Sequence, residues 1–273
     1  MSAFASGVAP HRRVWVYLAA TFAITWGAWW GLVLIARAGL SSFGQPLFMT
    51  LYLLGGFGPT IAAYLAVRAT RDEGTLAEFH SRLLRWRVGL RYWLMTLLFP
   101  FVLAGLVVLG ALWWEPAVRS EIVLKSWWMA LPLLLGMIIG GGLEELGWRG
   151  VAQPDFDRRF GKWSAVLLLG SIWAVWHLPL FSIPGTGQFG VPFLPYFIST
   201  VGLAAHLAWL YRRTESILCC ILFHAAVNAA SALGLALNPE RSGLQLAASL
   251  FVLAVGLGLL LTDRGRPAVV SRT

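Results

Sequence analysis

The amino-acid sequence predicts an all-α, polytopic membrane protein, a bundle of about eight transmembrane helices that forms a single membrane domain over residues 1–273. Hydrophobic residues make up 58% of the chain and charged residues only 12%, whereas a soluble domain carries about 25% charged residues. Stretches without Asp, Glu, Lys or Arg recur at about the 20-residue length of a membrane-spanning helix. The two cysteines, and glycines without a triplet period, exclude a disulfide scaffold and collagen.

These charge-free stretches define the helices in order. The stretch over 163–211 accommodates two helices, because residues 182–187 (Ser-Ile-Pro-Gly-Thr-Gly) are typical of a turn. The first stretch is longer than a signal-peptide core, so we expect it to be retained. In the second, Gly55-Gly56-Phe57-Gly58-Pro59 predicts a kink or a close helix contact. The predicted helices are 14–36, 47–67, 92–114, 126–148, 163–181, 194–211, 217–237 and 243–262.

Eight spans place both termini on one side of the membrane, and the basic residues indicate which side. Four of them are expected on the opposite face, namely Arg37, Arg119, Lys125 and Arg241. The others lie with the termini: Arg12, Arg13, Arg68, Arg71, Arg82, Arg85, Arg87, Arg91, Arg149, Arg158, Arg159, Lys162, Arg212, Arg213, Arg264, Arg266 and Arg272. This bias predicts cytoplasmic termini. Anionic headgroups of the lipid bilayer account for the net charge of +9, so no nucleic-acid partner is expected.

Two further predictions concern the membrane. Residues 70–91, the longest polar connector, are expected to lie as an amphipathic segment on the cytoplasmic leaflet. The location that we expect is multi-pass, in a bacterial plasma membrane.

Only two of the twelve acidic residues, Glu144 and Glu145, continue an apolar helix. A carboxylate in the middle of a transmembrane helix costs roughly 2.5–3.5 kcal/mol, so an adjacent pair indicates a function. The alternative is that the span ends at Leu143 and that the pair is interfacial. Glu145 and Arg149 are spaced i, i+4, which favours an ion pair with a structural role. Glu144 points about 100° away around the helix and becomes the candidate for chemistry.

Three polar residues in later helices complete the candidate site. If a turn at Phe160-Gly161 joins two antiparallel helices, His177 lies at the depth of Glu144. His224 and Asn228 share one face of the seventh helix. The alternatives are a packed, hydrogen-bonded histidine and an interhelical hydrogen-bond pair. For His206 we expect packing or a polar contact.

A carboxylate, two imidazoles and an amide suit peptide hydrolysis. Glu144 can act as general base on water, with His177 orienting that water. His224 and Asn228 can donate hydrogen bonds to an oxyanion. Zinc is the open alternative, with Glu144, His177 and His224 as ligands and a fourth position for water. The sequence contains no H-E-x-x-H, which excludes a conventional zincin helix.

The pattern resembles a known family. Residues 144–150 (Glu-Glu-Leu-Gly-Trp-Arg-Gly) resemble the EExxxR motif of the CPBP family, the CAAX-protease and bacteriocin-processing (Abi) intramembrane peptidases. Residues 173–177 resemble its FxxxH motif, with Trp173 in place of Phe, and residues 224–228 resemble HxxxN/D. The resemblance covers about residues 125–235.

The resemblance implies an eight-helix bundle with a cavity open to the cytoplasm, and a peptide or protein substrate cleaved near the cytoplasmic membrane face. Glu144 and His177 would activate the water, and His224 and Asn228 would stabilise the oxyanion. Glu145 and Arg149 would support the site. Both metalloprotease and glutamate-type mechanisms have been argued for the family, and its eukaryotic members process prenylated CaaX proteins.

Two other function classes compete with a peptidase. A catalytically silent scaffold or bacteriocin-immunity protein would not need the costly glutamate pair. A proton-relaying transporter would use paired acids and histidines, but the sequence shows no inverted repeat and no Asp, Glu, Lys or Arg in its other spans.

Overall fold

The computed structural model describes residues 12–263, and all regular secondary structure in this range is helical, which confirms the all-α class. Residues 1–11 and 264–273, with His11, Arg264, Arg266, Arg272 and both termini, lie outside the described residues. The helices are α1 (Arg12–Arg37), α2 (Pro46–Gly56), α3 (Gly58–Ala69), α4 (Leu76–Leu83), α5 (Leu90–Leu97), α6 (Phe99–Trp114), α7 (Ala130–Ile139), α8 (Glu145–Gly147), α9 (Gln153–Trp176), α10 (Phe193–Thr214), α11 (Ile217–Ala232) and α12 (Ser242–Leu261).

Each predicted helix overlaps an observed one, but the number of membrane crossings stays a prediction. Within residues 12–263, four helical segments are long and apolar enough to span a bilayer, and there are up to six if the bent pairs α2–α3 and α5–α6 count as one span each. One of the four, Trp127–Ser182, extends over 56 residues, more than a single crossing needs. Helix α11 is apolar but shorter.

The predicted disturbance in the second helix is confirmed in both of its forms. Helices α2 and α3 meet at an angle of 45°. A Cβ atom on Gly55 would lie 2.1 Å from Trp29 Nε1, so only glycine permits this approach of α1. The Thr25 hydroxyl of α1 donates a hydrogen bond of 2.7 Å to the Gly55 carbonyl, which fixes the two helices together.

The predicted helix over 126–148 is wrong in its second half. Helix α7 ends at Ile139, and Gly141 has φ +149°, a conformation that L side chains rarely adopt. The chain continues through a 3₁₀ turn (Gly142–Glu144), the short α8 and a π-helical turn (Trp148–Ala152). A Cβ atom on Gly142 would lie 2.8 Å from the Ile221 carbonyl, so the break allows α11 to approach the backbone. The glutamate pair therefore follows a break and does not continue the apolar helix.

Two other local predictions are confirmed. Gly161 interrupts α9 with φ +70°, at the position of the predicted turn. Helix α4 is amphipathic: Phe79 is buried, whereas the polar residues Glu78 and His80 on either side of it are exposed. A capping box between Thr75 and Glu78 starts this helix. The predicted location on a membrane leaflet stays a prediction.

The packing of α10 against α12 depends on two glycines and gives the first testable prediction. A Cβ atom on Gly256 would lie 2.6 Å from the Gly202 carbonyl. We expect Gly256→Leu to force the helices apart and to lower the free energy of unfolding by about 1–3 kcal/mol, measured as thermal unfolding in detergent. The matched control is Gly258→Leu on the same helix, where an added Cβ meets no atom within 4 Å. Equal stability of the two variants would contradict this account of the packing.

Candidate active site

A cavity of about 300 Å³ lies between α1, α2, α7, α10 and α11. The four residues that the sequence singles out for chemistry, Glu144, His177, His224 and Asn228, all line it. Glu144, His177 and His224 are buried, and Asn228 is partly exposed. The fold thus brings together side chains that are up to 84 residues apart in the sequence.

The Glu144 carboxylate is held by two indole groups. Trp173 Nε1 donates to Glu144 Oε2 at 2.9 Å, and Trp148 Nε1 donates to the same oxygen at 3.3 Å. Neither indole donor to Glu144 was predicted from the sequence. The spacing i, i+4 of Glu144 and Trp148 was the available signal. Both bonds end on Oε2, which leaves Oε1 able to accept a proton from water.

Glu145 has two partners, of which the sequence predicted one. The ion pair with Arg149 is present: Oε2 lies 3.1 Å from Nη1, and both side chains are fully buried. The second partner is His224, whose Nδ1 lies 3.0 Å from Glu145 Oε1. The Arg149 guanidinium also lies 5.3 Å from the centre of the Trp173 ring, where a cation–π attraction contributes. Glu145 therefore connects the segment after the helix break to α11.

His177 directly follows the last residue of α9, and its neighbours fix its tautomer. Its Nδ1 lies 2.9 Å from the Trp173 carbonyl oxygen. A carbonyl oxygen only accepts hydrogen bonds, so Nδ1 is the donor and Nε2 of the neutral ring carries a lone pair. The ring also packs edge-on against Trp176 and Tyr196. Nε2 is thus able to accept a hydrogen bond from water in the cavity.

His224 and Asn228 lie against the backbone of the helix break. Asn228 Nδ2 is 3.4 Å from the Gly140 carbonyl. A Cβ atom on Gly141 would lie 2.5 Å from Asn228 Nδ2 and 3.3 Å from His224 Nε2. Glycine at this position therefore leaves room for both polar groups, and the shape of the site depends on the break.

His206 has the packing role predicted for it. The ring is buried, its Nδ1 lies 2.8 Å from the Gly202 carbonyl, and it stacks on Phe223. It does not line the cavity.

The arrangement does not fit the zinc alternative. Within the part of the chain that the structure describes, no group of three or more His, Cys, Asp or Glu side chains is placed to hold one metal ion. We therefore derive no step that uses a metal.

The fold and the cavity together define a class, the polytopic membrane proteins with a buried polar site among their helices. Comparison with known proteins narrows this class. Residues 126–230 match the model of the family described as type II CAAX prenyl endopeptidase Rce1-like. The chain is also 23% identical over 227 residues to a CAAX prenyl protease 2 of the archaeon Methanococcus maripaludis, an alignment that covers 78% of this chain and 82% of the relative.

Both findings confirm the resemblance to the CAAX-protease family that the three motifs indicated. The family is one of proteases, and its membrane character agrees with the apolar helices of this chain. The matched relative is archaeal, and the bacterial plasma membrane stays a prediction.

The burial of the Glu145–Arg149 pair gives the second testable prediction. Removing one member of a buried ion pair leaves an uncompensated charge and costs about 3–5 kcal/mol. We therefore expect Glu145→Leu to lower the free energy of unfolding by about that amount, measured by thermal or denaturant unfolding in detergent.

The double variant Glu145→Leu/Arg149→Met is the control, because it removes both charges and should recover part of the stability. If Glu145→Leu melted like the unsubstituted protein and lost only its activity, a structural role for Glu145 would be refuted.

Proposed function

We propose that the protein is an intramembrane endopeptidase in which Glu144 and His177 activate a water molecule for attack on a peptide bond. The observation that carries this proposal is the meeting of Glu144, His177, His224 and Asn228 around one cavity. The family match supports the reaction class.

The first step is activation of water. Glu144 Oε1 takes a proton from the water, while the indole groups of Trp148 and Trp173 hold the other oxygen of the carboxylate in place. His177 Nε2 accepts the second hydrogen of that water and so aims its oxygen at the carbonyl carbon. The fixed Nδ1 contact with the Trp173 carbonyl keeps the ring in this orientation.

The second step is stabilisation of the tetrahedral intermediate. The amide Nδ2 of Asn228 donates a hydrogen bond to the developing oxyanion. His224 can do the same through Nε2 when its ring is doubly protonated, because Nδ1 already faces Glu145. The Glu145 carboxylate then balances the imidazolium charge. Glu144 finally returns its proton to the amine that leaves, so the enzyme regains its initial state.

The substrate class follows from the position of the cavity among membrane helices. We propose a peptide or protein that is anchored in the bilayer next to its cleavage site. A prenylated CaaX carboxyl terminus is one such substrate, since the matched relative is named a CAAX prenyl protease. A membrane-associated bacteriocin precursor is another.

The competing proposal is a catalytically silent scaffold or bacteriocin-immunity protein. Such a protein has no need for a buried carboxylate beside two imidazoles, an arrangement that is costly in a membrane. Hydrolysis of a test peptide separates the two proposals directly.

Glu144→Gln gives the third testable prediction. The amide keeps the size of the side chain and can still accept from the two indoles, but it cannot take a proton from water. We expect cleavage of a prenylated or membrane-anchored test peptide to fall by a factor of about 10²–10⁴, with unchanged thermal unfolding. The control is Glu240→Gln, the same chemical change at an exposed residue outside the cavity. Full activity of Glu144→Gln would show that another group is the base.

The fourth prediction concerns metal. We expect the purified protein to retain cleavage activity after treatment with a chelator and dialysis, because the proposed mechanism uses only side chains of this chain. Metal content is measured on the same sample by mass spectrometry. Loss of activity that zinc restores would replace this mechanism with a metal-dependent one.

A further inference from the structure

We infer that a second cavity, lined by side chains of both charges, binds the headgroup of a membrane lipid that carries a phosphate and an ammonium group. This charged cavity measures about 240 Å³ and lies between the start of α1, helix α4 and the π-helical turn before α9. It shares no lining residue with the active-site cavity. Its charged lining residues are Arg13, Arg82, Arg158, Glu73, Glu78 and Asp155.

The arginines of the charged cavity are suited to bind the phosphate. The Arg13 side chain is held by the segment between α3 and α4, because Nη2 donates to the Gly74 carbonyl at 2.7 Å and Nε donates to the Thr70 hydroxyl at 2.9 Å. Arg82 Nη1 donates to the Tyr211 hydroxyl at 2.8 Å. Each guanidinium has further N–H groups that these contacts do not use. The two cations also lie close enough to repel each other, so an anion between them is stabilised.

The carboxylates of the charged cavity are suited to bind the ammonium group. Asp155 is buried and lies 2.8 Å from Nη2 of Arg158, whose side chain is 69% exposed. The Glu73 carboxylate accepts from the backbone amide of Arg13, and Glu78 caps the start of α4. Three acids balance three arginines in formal charge, so a simple anion gains little from the cavity as a whole. A ligand with both charges pairs with both sets of side chains.

The charged cavity also lies at the depth of lipid headgroups. The apolar sequence of α1 begins directly after Arg13, and α1 is long and apolar enough to span a bilayer. The start of this helix is therefore expected at a surface of the membrane, whichever of the two surfaces that is. Trp15 and Trp86 are 54% and 60% exposed, and tryptophan is enriched at the boundary between membrane and water. These rings offer a surface to the acyl chains of a bound lipid.

Size and hydrogen bonding select the lipid. A volume of 240 Å³ corresponds to about eight water molecules at about 30 Å³ each, and a phosphoethanolamine group has the same number of non-hydrogen atoms. Its primary ammonium donates hydrogen bonds to carboxylates. Phosphatidylcholine has the same charges but no N–H on its ammonium group, and phosphatidylglycerol has the phosphate but no ammonium group. We therefore assign the cavity to phosphatidylethanolamine.

The charged cavity lies directly behind the active site. Gly150 lines it and belongs to the same π-helical turn as Trp148, whose indole donates to Glu144. Arg149 of that turn pairs with Glu145. A bound headgroup therefore packs against the segment that holds both glutamates, and we expect it to suppress local opening of that segment.

Thermal unfolding in detergent tests the site without any need for activity. We expect added phosphatidylethanolamine to raise the midpoint by about 2–4 °C, because a ligand that binds only the folded protein stabilises it. Phosphatidylcholine and phosphatidylglycerol at the same concentration should produce at most a small part of this shift. An equal shift with either lipid would overturn the inference. A full shift with inorganic phosphate alone would also overturn it, because the site would then bind a simple anion.

Substitutions separate binding of the lipid from the stability of the fold. Arg82→Gln removes one guanidinium, and we expect it to lose most of the lipid-dependent shift. Tyr211→Phe is the matched control, because it removes the same hydrogen bond from Arg82 but leaves the guanidinium in the cavity. This variant should keep the shift. Arg158→Gln, at a mostly exposed side chain, is the second variant if Arg82→Gln does not fold. A full shift in a folded Arg82→Gln or Arg158→Gln variant would overturn the inference.

Hydrogen exchange locates the bound lipid. We expect phosphatidylethanolamine to slow exchange of the backbone amides over residues 72–82 and 148–158, which border the charged cavity. The connection between α9 and α10, which does not line this cavity, should exchange at an unchanged rate. Protection confined to other parts of the chain would overturn the inference. None of these measurements depends on cleavage, so their outcome and that of the endopeptidase proposal are separate.

Discussion

The buried Glu145 carboxylate, shared between Arg149 and His224, is the interaction on which the site depends. One oxygen faces the guanidinium four residues along the chain, and the other faces an imidazole on a distant helix. Two charges without access to water are tolerated only when each has its partner in place. The contact between Glu145 and His224 therefore holds α11 against the segment after the helix break. This contact also fixes the positions of His224 and Asn228 relative to Glu144.

This interaction is possible because the helix does not continue through the glycines. If α7 continued unbroken past Ile139, side chains would separate its backbone from that of α11. At Gly141 and Gly142, an added Cβ atom would instead overlap Asn228 and the Ile221 carbonyl. Because of the break, Glu144 is the last residue of the 3₁₀ turn. From this position its carboxylate accepts a hydrogen bond from the indole of Trp148. Gly140 and Gly141 of the break line the cavity and Gly142 is buried, which are the two settings in which irregular backbone is tolerated at membrane depth.

The sequence predicts those features that depend on local spacing. The pairing of Glu145 with Arg149, the turn at Gly161 and the bend between α2 and α3 each follow from a few adjacent residues. The contacts that join distant segments, such as Glu145 with His224 and Trp173 with Glu144, are not encoded in any spacing. The break at Gly141 was missed for the same reason, because three glycines are compatible with a transmembrane helix until a neighbouring helix must approach them.

Trp173 shows how a departure from a motif can carry chemistry. The resembling motif has Phe at this position, and replacement of one aromatic ring by another conserves its packing. The structure shows a further difference, because the indole donates to Glu144 at 2.9 Å and its ring also faces Arg149. A phenyl ring has no N–H group and could not make the first contact. Since a hydrogen bond to a charged group contributes about 1.5–3 kcal/mol, Trp173 and Trp148 together offset part of the cost of burying the carboxylate. In this chain the aromatic residues around the cavity thus act as polar partners of the acid as well as walls of the cavity.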